Sequence, residues 1–235
     1  LSLIIKEKRR EIMAKKNDKI TTGIFDKRGG KDTLSPRGFY GSIGLFTALS
    51  LAFTALMISL FPNYANDLNL IGVLGLFGVS ILGVIVSVKS DYAPVSLLGL
   101  GMISGAFGLL LSNIGSIYSP TIIHNAMTLT FLITTVMGVS GFIFPKFYES
   151  IGGALFIALS GLVVVRILGL FIPFLREMIL IDYFSAGLFS LYIGYDMYRA
   201  SVITKTLDNA VDVAVELYLD IMNLFLTLLR IFGKK

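Results

Sequence analysis

From residue 39 onward the chain is a succession of apolar stretches, each near the roughly 20 residues a helix needs to cross the hydrocarbon core of a bilayer. Seven are legible: Phe39–Phe61, Leu68–Val88, Ala93–Leu111, Thr121–Phe144, Ile151–Ile172, Glu177–Tyr198 and Val211–Phe232. Polar or proline-bearing breaks separate them, among them Pro62-Asn63, Lys89-Ser90-Asp91, Ser112-Asn113, Pro145-Lys146 and Pro173. Backbone in lipid must satisfy its own N–H and C=O groups, so the pattern predicts an all-α integral membrane protein. Composition agrees: only 15% of residues are charged, against about 25% in a soluble domain. Cysteine is absent and His124 is the single histidine. That argues against disulfides, thiolate or histidine metal sites, and cysteine or Ser-His-Asp nucleophiles. His124 itself reads as an interfacial residue near the start of the fourth stretch.

The net charge of +5 is concentrated at one end. Residues 1–38 hold eleven Lys/Arg and five Asp/Glu; residues 39–235 hold nine and ten. The first segment is therefore expected to be a basic cytoplasmic tail, largely disordered, with a short helix around Ile4–Lys16, and residues 39–235 the membrane domain. Basic residues before a first span hold that end inside. They suit anionic lipid headgroups, and nucleic acid is not expected as a partner. The tail lacks the short apolar core and cleavage site of a signal peptide. Loop charges fit the same orientation in a multi-pass protein of the cell membrane. Lys89, Lys146, Arg199 and Lys205 follow the second, fourth and sixth stretches, while the loops after the first and third carry no Lys or Arg. If all seven segments cross, the C-terminus is outside. A re-entrant seventh segment, with six true spans, would return it inside. Gly101, Gly105 and Gly108 form a small-residue stripe, expected to serve close packing within one bundle.

Ionisable side chains inside spans are costly and mark function by default. Arg166 lies well inside the fifth stretch and needs an anionic partner. Asp182 lies near the outer end of the sixth and could face water; Asp196 lies near its inner end. In the seventh, Asp212, Glu216 and Asp220 recur at i, i+4 and i+8, a sector of roughly 80° on a helix of about 100° per residue. Asn223 continues the stripe. This acidic seam is expected to face other helices or a hydrated path.

Two segments carry a family resemblance. Leu217-Tyr218-Leu219-Asp220-Ile221-Met222-Asn223-Leu224-Phe225-Leu226-Thr227-Leu228-Leu229-Arg230-Ile231-Phe232-Gly233 closely resembles the C-terminal signature of the Bax-inhibitor family, the transmembrane Bax-inhibitor-motif proteins. Gly187-Leu188-Phe189-Ser190-Leu191-Tyr192-Ile193-Gly194-Tyr195-Asp196 resembles that family's sixth-span motif. The resemblance implies seven transmembrane helices with the C-terminal one central to the other six. It implies that Asp196 and Asp220 meet as a di-aspartyl pair, the pH sensor and gate of a calcium leak in bacterial members. Two departures stand out. Met197-Tyr198 replaces the Thr-Gln of many members, and no arginine occupies the second-span position that pairs with the sixth-span aspartate in some. Lys89 and Arg166 are the candidate substitutes for that counter-charge.

The expected function is thus a pH-sensitive cation leak, with no cofactor and with Ca²⁺ as the ion transported or bound by Asp196 and Asp220. Tyr195, Asn223, Asp212 and Glu216 are candidates for the pore or its mouth. Two carboxylates in a poorly hydrated site cannot both ionise easily, so one proton is shared between them. A second reading is a regulatory protein that contacts a membrane-bound protease or another stress-response partner, with the basic tail as the contact. An enzyme is not expected. Tyr195-Asp196 matches half of the intramembrane aspartyl protease pattern, but Asp220 follows Tyr218-Leu219 where that chemistry requires Gly-x-Gly.

Overall fold

The computed structural model describes residues 33–234. The basic tail, its expected disorder and the helix around Ile4–Lys16 fall outside the described residues, except for the short run from Thr33. Seven long helices follow in order: α1 (Pro36–Leu60), α2 (Leu70–Lys89), α3 (Ala93–Leu110), α4 (Pro120–Ile143), α5 (Pro145–Leu168), α6 (Ile179–Val202) and α7 (Leu207–Gly233). Single helical turns at Tyr64–Asp67, Ile114–Ile117 and Pro173–Glu177 join some of them.

Local chemistry sets the starts. Ser35 accepts from Gly38 N at 3.2 Å with Pro36 in the first turn, and Ser119 repeats the arrangement before Pro120. Asn69 caps α2 through Gly72 N, and Thr206 caps α7 through Asn209 N. Each capping oxygen satisfies an N–H that the helix itself cannot, and proline loses nothing where no N–H is needed. The caps move the expected boundaries. The first helix begins at Pro36 rather than Phe39. The sixth runs four residues past Tyr198, and the seventh starts four residues before Val211. Leu34 N donates to Lys205 O at 2.7 Å, so the approach to α1 is tied to the α6–α7 connection.

Among the described residues, five helices are long and apolar enough to cross a membrane: α1, α2, α3 with the turn after it, α4 and α5. α6 and α7 do not meet that mark, because ionisable groups interrupt their apolar runs. The outer faces of the five are greasy, with Ile71 78%, Phe131 69% and Ile157 72% exposed. Apolar exposure on that scale, on helices of spanning length, is the character of a lipid-facing surface.

α7 is built the opposite way. Seventeen of its 27 residues are buried, and it packs against α1, α2, α3, α4 and α6. α5 stands aside and packs chiefly on α6. Glycines permit close helix crossings. A Cβ on Gly83 of α2 would lie 2.6 Å from the carbonyl oxygen of Gly99 on α3. The Gly101 stripe plays a smaller part, since Gly101 faces open space. Gly105 and Gly108 meet Phe53 and Met57 of α1, which is packing within one bundle.

Candidate functional site

The longer α6 places Asp196 six residues from its end, and antiparallel packing against α7 brings Asp220 to the same level. The two carboxyl groups lie close enough to bear on each other electrostatically. Asp196 is buried, at 3% exposure, and Asp220 is half-buried. Among the described residues no N–H or hydroxyl reaches Asp196 Oδ2. Two carboxylates have only acceptors, so a bond between them needs one proton held in common.

One turn away, Arg199 Nη1 of α6 donates to Glu216 Oε1 of α7 at 2.5 Å, with both side chains nearly buried. Arg199 also attracts Asp196, and Glu216 repels both aspartates. Arg199 therefore supplies the cation of the site, and the two proposed substitutes do not. Lys89 is exposed, and Arg166 pairs with Asp182 at 2.8 Å at the other end of α6. Asp182 does not face water; it is fully buried. Sequence reading treated Arg199 as a loop charge because it expected α6 to end at Tyr198. Its signal was the spacing: Arg199 follows Asp196 by three residues and Glu216 precedes Asp220 by four, so antiparallel helices set them face to face.

The acidic seam is divided between neighbours. Asp212, at 1% exposure, accepts from Ser87 Oγ of α2 at 3.1 Å, and Asp208 accepts from Ser96 Oγ of α3 at 2.8 Å. Only Glu216 and Asp220 turn to α6. Asn223 is half-buried one turn beyond Asp220. Tyr195 lies over Gly152 of α5 and feels Asp196, Arg199 and Glu216, whereas Tyr192 is the tyrosine that feels both aspartates. On another face of α7, Tyr218 shares a 2.7 Å hydrogen bond with Thr54 of α1, which also donates to Ser104 O of α3. That hydroxyl link fixes the rotation of α7 two residues before Asp220.

Calcium takes about six to eight oxygen ligands. Among the described residues no three acidic, histidine or cysteine side chains are grouped to hold a metal ion.

A family model described as "Inhibitor of apoptosis-promoting Bax1" matches residues 37–235. The chain belongs to the Bax-inhibitor family. Its match to an uncharacterized protein of Helicobacter pylori strain 26695 is 35% identical and covers 47% of each chain. The chain thus spans about half the length of that relative. An uncharacterized membrane protein of Streptococcus pyogenes serotype M1 is 29% identical over 83% of this chain and 90% of its own. The inner membrane protein YbhL of Escherichia coli K12 is 27% identical over 90% of this chain and 96% of its own. These relatives and the apolar helices place this Bax-inhibitor family member among membrane proteins.

Proposed function

We propose that this protein is a pH-sensitive cation leak, with calcium as the ion conducted and the Asp196–Asp220 pair as sensor and gate. In this reading all seven helices cross the membrane and the N-terminus is cytoplasmic. The charges of α6 and α7 are then tolerated because they face each other across the core of the bundle. The observation that carries the reading is the meeting of two acids, one from each of the last two helices, with Arg199 and Glu216 one turn away.

With one proton in common, the aspartates hold α6 and α7 together by a charge-assisted O–H···O⁻ bond. Losing the proton leaves two anions in a poorly hydrated place. Their repulsion loosens the contact and offers oxygens to a passing hard cation. Arg199 and Glu216 keep a second contact one turn away, so opening needs only a local parting at the pair.

The test is calcium flux into proteoliposomes from mildly acid to mildly alkaline pH. Wild type should conduct more as the pH rises. Asp196→Asn and Asp220→Asn should flatten the profile, because an amide donates to the remaining carboxylate at every pH. Unchanged profiles in both variants would end this reading.

A further inference from the structure

The far end of α6 from the acid pair carries a second cluster with the opposite balance of charge. Asp182 sits fully buried in the first turn of α6. Arg166 Nη2 of α5 reaches its Oδ1 at 2.8 Å, Arg230 Nε of α7 reaches the same oxygen at 3.0 Å, and Lys234 Nζ reaches Oδ2 at 3.0 Å. Each charge suits its own helix. The acid lies at an N-terminus, and both arginines lie in last turns, where the carbonyl ends favour cations.

The arrangement exceeds what a structural clasp requires. Among the described residues, three cations meet one carboxylate, a local surplus of positive charge. Nearby Arg176 and Glu177 are exposed, 3.8 Å apart, and offset each other. The carboxylate is 1% exposed, while the side chains of Arg166, Arg230 and Lys234 are 31%, 39% and 30% exposed. The surplus therefore lies at the surface, with its anion beneath. Neighbouring bonds aim the cations: Arg166 to Ser185 Oγ, Arg230 to Thr227 Oγ1, and Lys234 to Glu177 O.

The connection beside this cluster is apolar and outward-facing. Leu170, Phe171 and Phe174 are each more than two-thirds exposed. A fixed group of cations bordering an exposed apolar strip fits a molecule with an anionic head and hydrocarbon tails. Arginine forks match phosphate oxygens in particular.

We propose that Arg166, Arg230 and Lys234, held in place by Asp182, bind the phosphate of an anionic phospholipid whose acyl chains lie along Leu170, Phe171 and Phe174. Free phosphate shares the head's chemistry but has no chains to shelter there, so lipid is the occupant. This site is independent of the acid pair and of any leak.

The experiment is native mass spectrometry of the full chain, purified in neutral detergent, with phosphatidylglycerol and phosphatidylcholine of matched chains. Wild type should retain phosphatidylglycerol several-fold over phosphatidylcholine, and excess inorganic phosphate should not displace it. Lys234→Gln, at the end of the last helix, should lower that preference several-fold in protein that stays folded, and Arg230→Gln should do the same. A clasp without a lipid would lose melting temperature in these variants while its lipid preference stayed level. Equal retention of the two lipids, an unchanged preference in both variants, or displacement by phosphate would overturn the proposal.

Discussion

Arg199 on α6 and Glu216 on α7 meet at 2.5 Å, with side chains only 11% and 12% exposed. A nearly buried ion pair is worth little against an apolar substitute, but breaking one half of it strands the other. Arg199→Gln should therefore destabilise the protein by about 3–5 kcal/mol. The double variant Arg199→Gln/Glu216→Gln should recover most of that loss. Thermal unfolding in detergent of the single and double variants checks the order. A single variant as stable as wild type would show that water reaches Glu216.

The Thr54–Tyr218 link predicts an asymmetry. Tyr218→Phe removes a hydroxyl and leaves Thr54 its bonds to Ser50 O and Ser104 O. The cost should be that of one net hydrogen bond, about 0.5–1.5 kcal/mol. Thr54→Val strands the hydroxyl of Tyr218, which is fully buried, and should cost more, about 1–3 kcal/mol. Melting curves that ranked the two the other way would show that Tyr218 finds another partner.

Two glycines of similar appearance should respond oppositely to alanine. Gly83→Ala drives a Cβ against the backbone oxygen of Gly99, which cannot swing aside, and should cost about 1–3 kcal/mol as α2 and α3 move apart. Gly101→Ala meets open space and should be neutral or slightly stabilising, because alanine favours a helix interior over glycine. The readout is again the unfolding temperature of each variant.

Flux distinguishes members of the acidic stripe. Asp212 is held by Ser87 on the α2 side of α7, away from the aspartate pair. Asp212→Asn should leave the pH profile of calcium flux in place, whereas Asp220→Asn should flatten it. Equal effects in proteoliposomes would mean that the whole stripe titrates as one unit.

Much of the helix plan was legible in the linear order of residues. Apolar runs of spanning length forced helices, whereas the serine-proline and asparagine caps that set where several begin were passed over, so the expected starts were displaced by a few residues. Boundaries near charged residues were harder to read. Tyr198 looked like an end because Arg199 is charged, yet the helix continues and buries that arginine against Glu216. Five helices announce themselves as spans by composition. α6 and α7 do not, because ionisable groups interrupt their apolar runs.

The candidate site divides along the same line. Asp196, Asp220 and Glu216 stood out because an acid in an apolar run needs a reason, whatever its neighbours. The Arg199–Glu216 pairing was present in the spacing but hidden by the misplaced end of α6, and the partner of Arg166 could not be read from spacing at all. Arg166 looked like a counter-charge for Asp196 and instead joins Arg230 and Lys234 around Asp182.

The amino-acid order by itself determined that this chain forms apolar helices with a few ionisable groups inside them, since hydrogen bonding and hydrophobicity are properties of each local segment. Only the packing of α6 against α7 decided the partners. Charges in a low-dielectric interior act over a few ångströms, and which groups come that close is a property of the assembled bundle.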